Sequence, residues 1–83
     1  MMNVHANVKD VLNNFQFFDK ISIETFENEE PGEMYGTIYL TLGNIEVGGT
    51  IYSPEINDVT FYRRHTKEVT DMLTTFGIPF GYY

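Results

Sequence analysis

The chain has 83 residues, 42% apolar and 16% aromatic, with a formal net charge of −7 and no cysteine. That length fits one domain, which buries roughly 60–65% of its unfolded surface and is modestly stable; the apolar content argues against disorder. Disulfides and thiolate metal sites are excluded. No run nears the ~20 apolar residues of a membrane span, and no apolar leader follows basic residues, so the expectation is a soluble cytoplasmic protein.

Residues Asn3 to Phe18 open the chain with Val4, Val8, Val11, Leu12, Phe15 and Phe18 at helical spacing. Asn3 is the expected N-cap, because its side chain can accept from an orphan amide. Asn13-Asn14 is poor helix material, so the helix stops there or frays by Phe17. Ile21 to Phe26 reads as a strand, with Ile21 and Ile23 on one face, Ser22 and Glu24 on the other, and Phe26 out of phase at its end. Residues 27–33 then form an acidic loop around the turn dipeptide Pro31-Gly32.

Glu33 to Ser53 is the organising stretch. Two alternating runs flank Gly43-Asn44, and a glycine in the first loop position suits a II′ hairpin turn. That loop sets Leu42 opposite Ile45, Leu40 opposite Val47, Ile38 opposite Gly49 and Gly36 opposite Ile51. The other face then pairs Thr41 with Glu46, Tyr39 with Gly48, Thr37 with Thr50, and Tyr35 with Tyr52. A one-residue slip would mix the two faces. Tyr39 gains a structural role, since a ring can cover the backbone that Gly48 bares. Ser53-Pro54 ends the strand and Asn57-Asp58 marks a turn.

Val59 and Phe61 alternate against Thr60 and Tyr62. These β-forming residues favour a short strand over residues 58–64; the competing reading starts the next helix there. Val69, Met72, Leu73 and Phe76 fix a helix from Thr66 to Phe76. Gly77 suits the left-handed position past its end, Ile78 the accompanying apolar contact, and Pro79 the stop. The tail ends in Phe80, Tyr82 and Tyr83. It either packs on its own core or anchors a partner or a second copy.

The expected fold is an α+β domain: helix, antiparallel meander of three to four strands, helix. Both helices lie on the aliphatic face of Ile21, Ile23, Ile38, Leu40, Leu42, Ile45, Val47 and Ile51, leaving the tyrosine face open or at an interface.

Catalysis finds little support. The histidines are His5 and His65, and no hydroxyl sits in a nucleophile motif. His65 lies in R-R-H-T-K, the basic start of a helix, where the dipole disfavours positive charge. Arg63 and Arg64 are therefore expected to answer acids elsewhere in the fold. Glu27, Glu29, Glu30 and Glu33 are hard oxygen ligands but lack the order of an EF-hand, so no metal and no cofactor is expected.

Charge distribution points further. Between Ile21 and Tyr62 the chain carries Glu24, Glu27, Glu29, Glu30, Glu33, Glu46, Glu55 and Asp58, and no Lys or Arg. Such a half repels phosphate backbones, which argues against direct nucleic-acid binding despite the tyrosines. The bland account of the charge is solubility. The sharper one is a surface that steers towards a basic protein, with Tyr typical of binding faces. The candidate partner-binding residues are Glu24, Glu27, Glu29, Glu30, Glu33, Tyr35, Tyr39, Glu46 and Tyr52. In size, charge and lack of catalytic residues the chain resembles phage-encoded inhibitors of host nucleases, the anti-CRISPR and anti-restriction proteins that mimic DNA charge. The resemblance is one of class, and it implies a non-catalytic inhibitor docking on the basic groove of a nucleic-acid-processing protein. The alternative is a self-associating assembly module, a homodimer for instance, using Phe80, Tyr82 and Tyr83.

Overall fold

A computed structural model describes residues 3–25, 34–52 and 58–82. Phe26, the glutamates at 27, 29, 30 and 33, the turns at Pro31-Gly32 and Ser53-Pro54, Asn57 and Tyr83 lie outside the described residues. The fold is α+β, built on one six-stranded antiparallel sheet in the order β2-β3-β4-β5-β1-β6. Its strands are β1 (Val4–Asn7), β2 (Lys20–Thr25), β3 (Met34–Leu42), β4 (Ile45–Tyr52), β5 (Asp58–Phe61) and β6 (Gly81–Tyr82). Among the described residues two α-helices accompany it, α1 (Val8–Leu12) and α2 (Thr66–Phe76).

The hairpin forms with the register its loop dictates. Leu42 pairs with Ile45, and the pairing runs unbroken back to Gly36 opposite Ile51. Gly43 takes a φ of 61°, which a primed two-residue turn demands at its first position. Asp19 locks the turn from outside, its carboxylate accepting from the Gly43 amide at 2.7 Å. Beyond Gly36 a bulge intervenes, so Met34 faces Tyr52 where Tyr35 was expected. One extra residue on β3 shifts the register there, as bulges near strand ends do.

The meander β2-β3-β4-β5 supplies four strands, and β5 resolves the ambiguity at residues 58–61 in favour of strand. Two further strands correct the expected count. Val4–Asn7 is a strand and not the start of a long helix, because it finds partners on both sides. His5 pairs with Thr60 and Ala6 with Val59 on one edge, and Val4 pairs with Tyr82 on the other. The helix is thereby cut to five residues, capped by Asn7, whose side chain accepts from the Lys9 amide at 2.9 Å. Asn3 instead accepts from Arg63 Nε at 2.9 Å. The chain leaves α1 at Asn13, as the asparagine pair implies, and makes a 3-10 turn over Phe15–Phe17.

α2 ends as read. Gly77 has a φ of 69°, and the Ile78 amide reaches back to the Leu73 carbonyl at 2.9 Å, which satisfies an orphan acceptor of the last turn. Ile78 is buried beside it. One core joins Val8 and Val11 of α1, Val69, Met72 and Leu73 of α2, and the sheet residues Val4, Ala6, Ile38, Leu40, Val47, Ile51, Val59 and Phe61. Ile21 and Leu42 pack at its margin, whereas Ile23 and Ile45 remain 40% and 45% exposed. The short α1 leaves Leu12 and Phe15 exposed as well. The aliphatic face is therefore well covered at its centre and bare towards β2 and the hairpin tip.

Candidate functional site: the open sheet face

Antiparallel strands alternate their side chains, so the residues that face away from the core follow directly from the register. They fall into bands across the sheet. Nearest the hairpin tip run Lys20, Thr41 and Glu46; next come Ser22, Tyr39 and Gly48. A third band joins Glu24, Thr37, Thr50, Thr60 and His5, and a fourth Tyr52, Asp58 and Asn7. Among these residues only Gly48 is buried; Glu24, Glu46 and Tyr52 are exposed and the four threonines half-buried. The face is thus open and polar, with a threonine row between tyrosine bands.

Tyr39 does what the glycine opposite it requires. A Cβ on Gly48 would sit 2.8 Å from Tyr39 Cε1 and 3.0 Å from Tyr62 Cε2, so both rings lie over the bare backbone. The hydroxyl of Tyr62, hydrogen-bonded to that of Tyr39, holds the Tyr39 phenol above the ordinary tyrosine range; Glu46 pushes the same way and Arg64 opposes it. The Arg64 guanidinium stacks on the Tyr62 ring, 4.7 Å from its centroid, a cation–π contact. His65 completes the cluster, its Nδ1 accepting from the Gly48 amide at 2.9 Å. It takes the place of a strand partner where β5 has ended, and that gives His65 a structural task. Among the described residues Arg63 and Arg64 thus engage a side-chain amide and a ring, not the acids expected for them.

The residues singled out from the sequence are only partly brought together. Glu24 stands on the edge strand, Glu46 near the hairpin tip, and Tyr52 at the far end of β4. Tyr39 and Tyr52 are separated along the sheet by the threonine row, a distance of roughly 13 Å at strand rise. Tyr35 lies in β3 at the bulge. Folding also returns two cations, Lys20 and Arg64, to a face whose own strands carry Glu24, Glu46 and Asp58. As far as Tyr82 the tail is docked within the chain: Phe80 packs on the core, its ring edge-on to Tyr82, and Tyr82 pairs with Val4 while half its surface stays exposed.

Sequence reasoning placed Thr37 opposite Thr50 on the tyrosine face but missed Tyr62, Arg64 and the continuation of that row to Thr60 as parts of one surface. The signal was present in Gly48-Gly49, because a slot in the middle strand asks for rings on both neighbours. What was lacking was the β4–β5 register, Gly49 opposite Phe61, which the connecting segment does not encode as a tight turn. His5 adds a contact beside that row, Nδ1 lying 3.4 Å from the Asp58 carboxylate. Among the described residues no group of acids, histidines or cysteines gathers as metal ligands would, and no helix is long and apolar enough to cross a membrane. Comparison of the chain with protein-family models, curated proteins and solved structures finds no match.

Proposed function

We propose that the chain is a non-catalytic protein-binding module that docks its open sheet face on a basic protein surface, as an inhibitor of a nucleic-acid-processing protein would. The observation that carries the proposal is the face itself: Tyr52 exposed, Thr37, Thr50 and Thr60 in a row, and Tyr39 and Tyr62 lying over Gly48. Rigid tyrosines and short hydroxyls bind a protein surface at low entropic cost. The net charge of −7 supplies the long-range attraction to a basic partner and disfavours a phosphate backbone. In this reading Glu24 and Glu46 lie on the contact face, the glutamates at 27, 29, 30 and 33 steer the approach, and the protein works in the cytoplasm.

The test is capture from a host lysate at low and at high salt, comparing the wild type with Tyr52→Ser plus Glu46→Lys. A basic protein retained by the wild type, released by salt and lost by the variant is the expected result. Recovery of the same proteins by wild type and variant, unaffected by salt, would overturn the reading.

A further inference from the structure

We infer that β2 pairs with β2 of a second copy of this chain across a two-fold axis, in the register that sets Lys20 opposite the partner's Glu24. The inference uses the edge of the sheet and shares only Glu24 with the sheet-face reading, whose test variant, Tyr52→Ser plus Glu46→Lys, leaves β2 unchanged.

β2 is the outermost strand on its side of the sheet, six residues long, with β3 on one side and no strand beyond it among the described residues. Long edges of this kind present a row of backbone donors and acceptors that template further pairing. Which residues offer them follows from the hairpin. The residues flanking a two-residue loop exchange both hydrogen bonds, so Leu42, Leu40 and Ile38 turn their amides and carbonyls to β4, and Thr41, Tyr39 and Thr37 turn theirs to β2. The Thr41 carbonyl does accept from the Asp19 amide at 2.8 Å on that side. Lys20, Ser22 and Glu24, which face Thr41, Tyr39 and Thr37, are therefore the residues bonded to β3. Ile21 and Ile23 carry the outward groups.

An antiparallel partner must match outward residue to outward residue. The two-fold register centred on Ser22 does so, joining Ile21 to the partner's Ile23 and Ile23 to the partner's Ile21. In the same register Lys20 meets the partner's Glu24 on the open face, and Glu24 meets the partner's Lys20. The side chains of all three residues on that face, Lys20, Ser22 and Glu24, are exposed. Neighbouring two-fold registers, centred on Ile21 or on Ile23, forfeit both charge pairs. On the opposite face Ile23, Leu12 and Phe15 are 40%, 38% and 67% exposed around a groove of about 400 Å³. The two-fold brings two such apolar patches beside one another. A C2 contact needs self-complementarity of this kind, with the same patch on both copies.

Sedimentation equilibrium on the full chain tests the inference, with circular dichroism confirming that each variant is folded. The wild type should dimerise, and K20E or E24K alone should weaken the dimer by at least about tenfold. The double swap K20E/E24K should restore it, and an equimolar mixture of the two single variants should form a heterodimer. E24K is the discriminating variant, because it lowers the net negative charge and would strengthen an association governed by overall repulsion. The inference fails if the wild type stays monomeric up to about 1 mM, the weak end of protein affinities. It fails also if E24K dimerises as well as the wild type, or if the double swap does not recover the dimer.

Discussion

At the scale of single residues, the sheet is shaped around two glycines with different neighbours. A Cβ at Gly49 would lie 2.9 Å from the Thr60 carbonyl oxygen and 3.1 Å from Phe61 Cα, backbone atoms that cannot step aside. At Gly48 it would meet the rings of Tyr39 and Tyr62, which are half-buried and can swing outwards. Gly49→Ala should therefore cost about 1–3 kcal/mol in urea unfolding, as overpacking does, and Gly48→Ala less. The phenol pair gives a second readout. Because the bond to Tyr62 raises the Tyr39 pKa, the folded state favours the protonated phenol. The stability this contributes is fully present below the unfolded phenol's pKa of about 10 and is lost as pH climbs through the higher folded value. Spectrophotometric titration should find a phenol ionising above the ordinary tyrosine range, and Tyr62→Phe should return it towards that range. An unchanged titration in that variant would show that the two hydroxyls do not interact.

At the scale of elements, legibility followed the distance between partners in the chain. The β3–β4 hairpin could be read residue by residue because its register is set by two loop residues, Gly43-Asn44. The end of α2 was legible for the same reason: Gly77 and Ile78 act on the turn just before them. Nothing lies within 4 Å of a Cβ built on Gly77, so Gly77→Ala should cost only the left-handed conformation, about 1 kcal/mol or slightly more, measured by thermal or urea unfolding. β1 was the failure. Val4, Val8 and Val11 are buried in the structure and fit a helical stripe equally well. Four residues are too few to display a strand's period, and what makes Val4–Asn7 a strand is β5 and β6, from the other end of the sequence. The bulge at Tyr35 escaped for a related reason. No local signal beyond Gly36 announces it, and the pairing of Tyr52 with Met34 is decided by the sheet.

At the scale of the whole molecule, the sheet divides the surface into a covered side, an open face and, among the described residues, an edge at β2 with no further strand. Composition anticipated the open face, since the hairpin's outer positions are Thr, Tyr and Glu. It did not anticipate that folding would carry Lys20 and Arg64 back beside them, because a charge run along the chain says nothing of which strands become neighbours. The bare apolar margin at Ile23, Leu12 and Phe15 has a similar origin, a helix shortened to five residues by the strand before it. Face and edge meet at Glu24, which β2 pairing would engage with Lys20 of a second copy, whereas Tyr39, Glu46 and Tyr52 lie on β3 and β4, away from that edge. The central claim concerns the face. Capture from host lysate by the wild type and by Tyr52→Ser plus Glu46→Lys tests it most directly: a basic protein held at low salt, released at high salt and lost by the variant is the predicted result. Equal recovery by both proteins at both salt concentrations would contradict it.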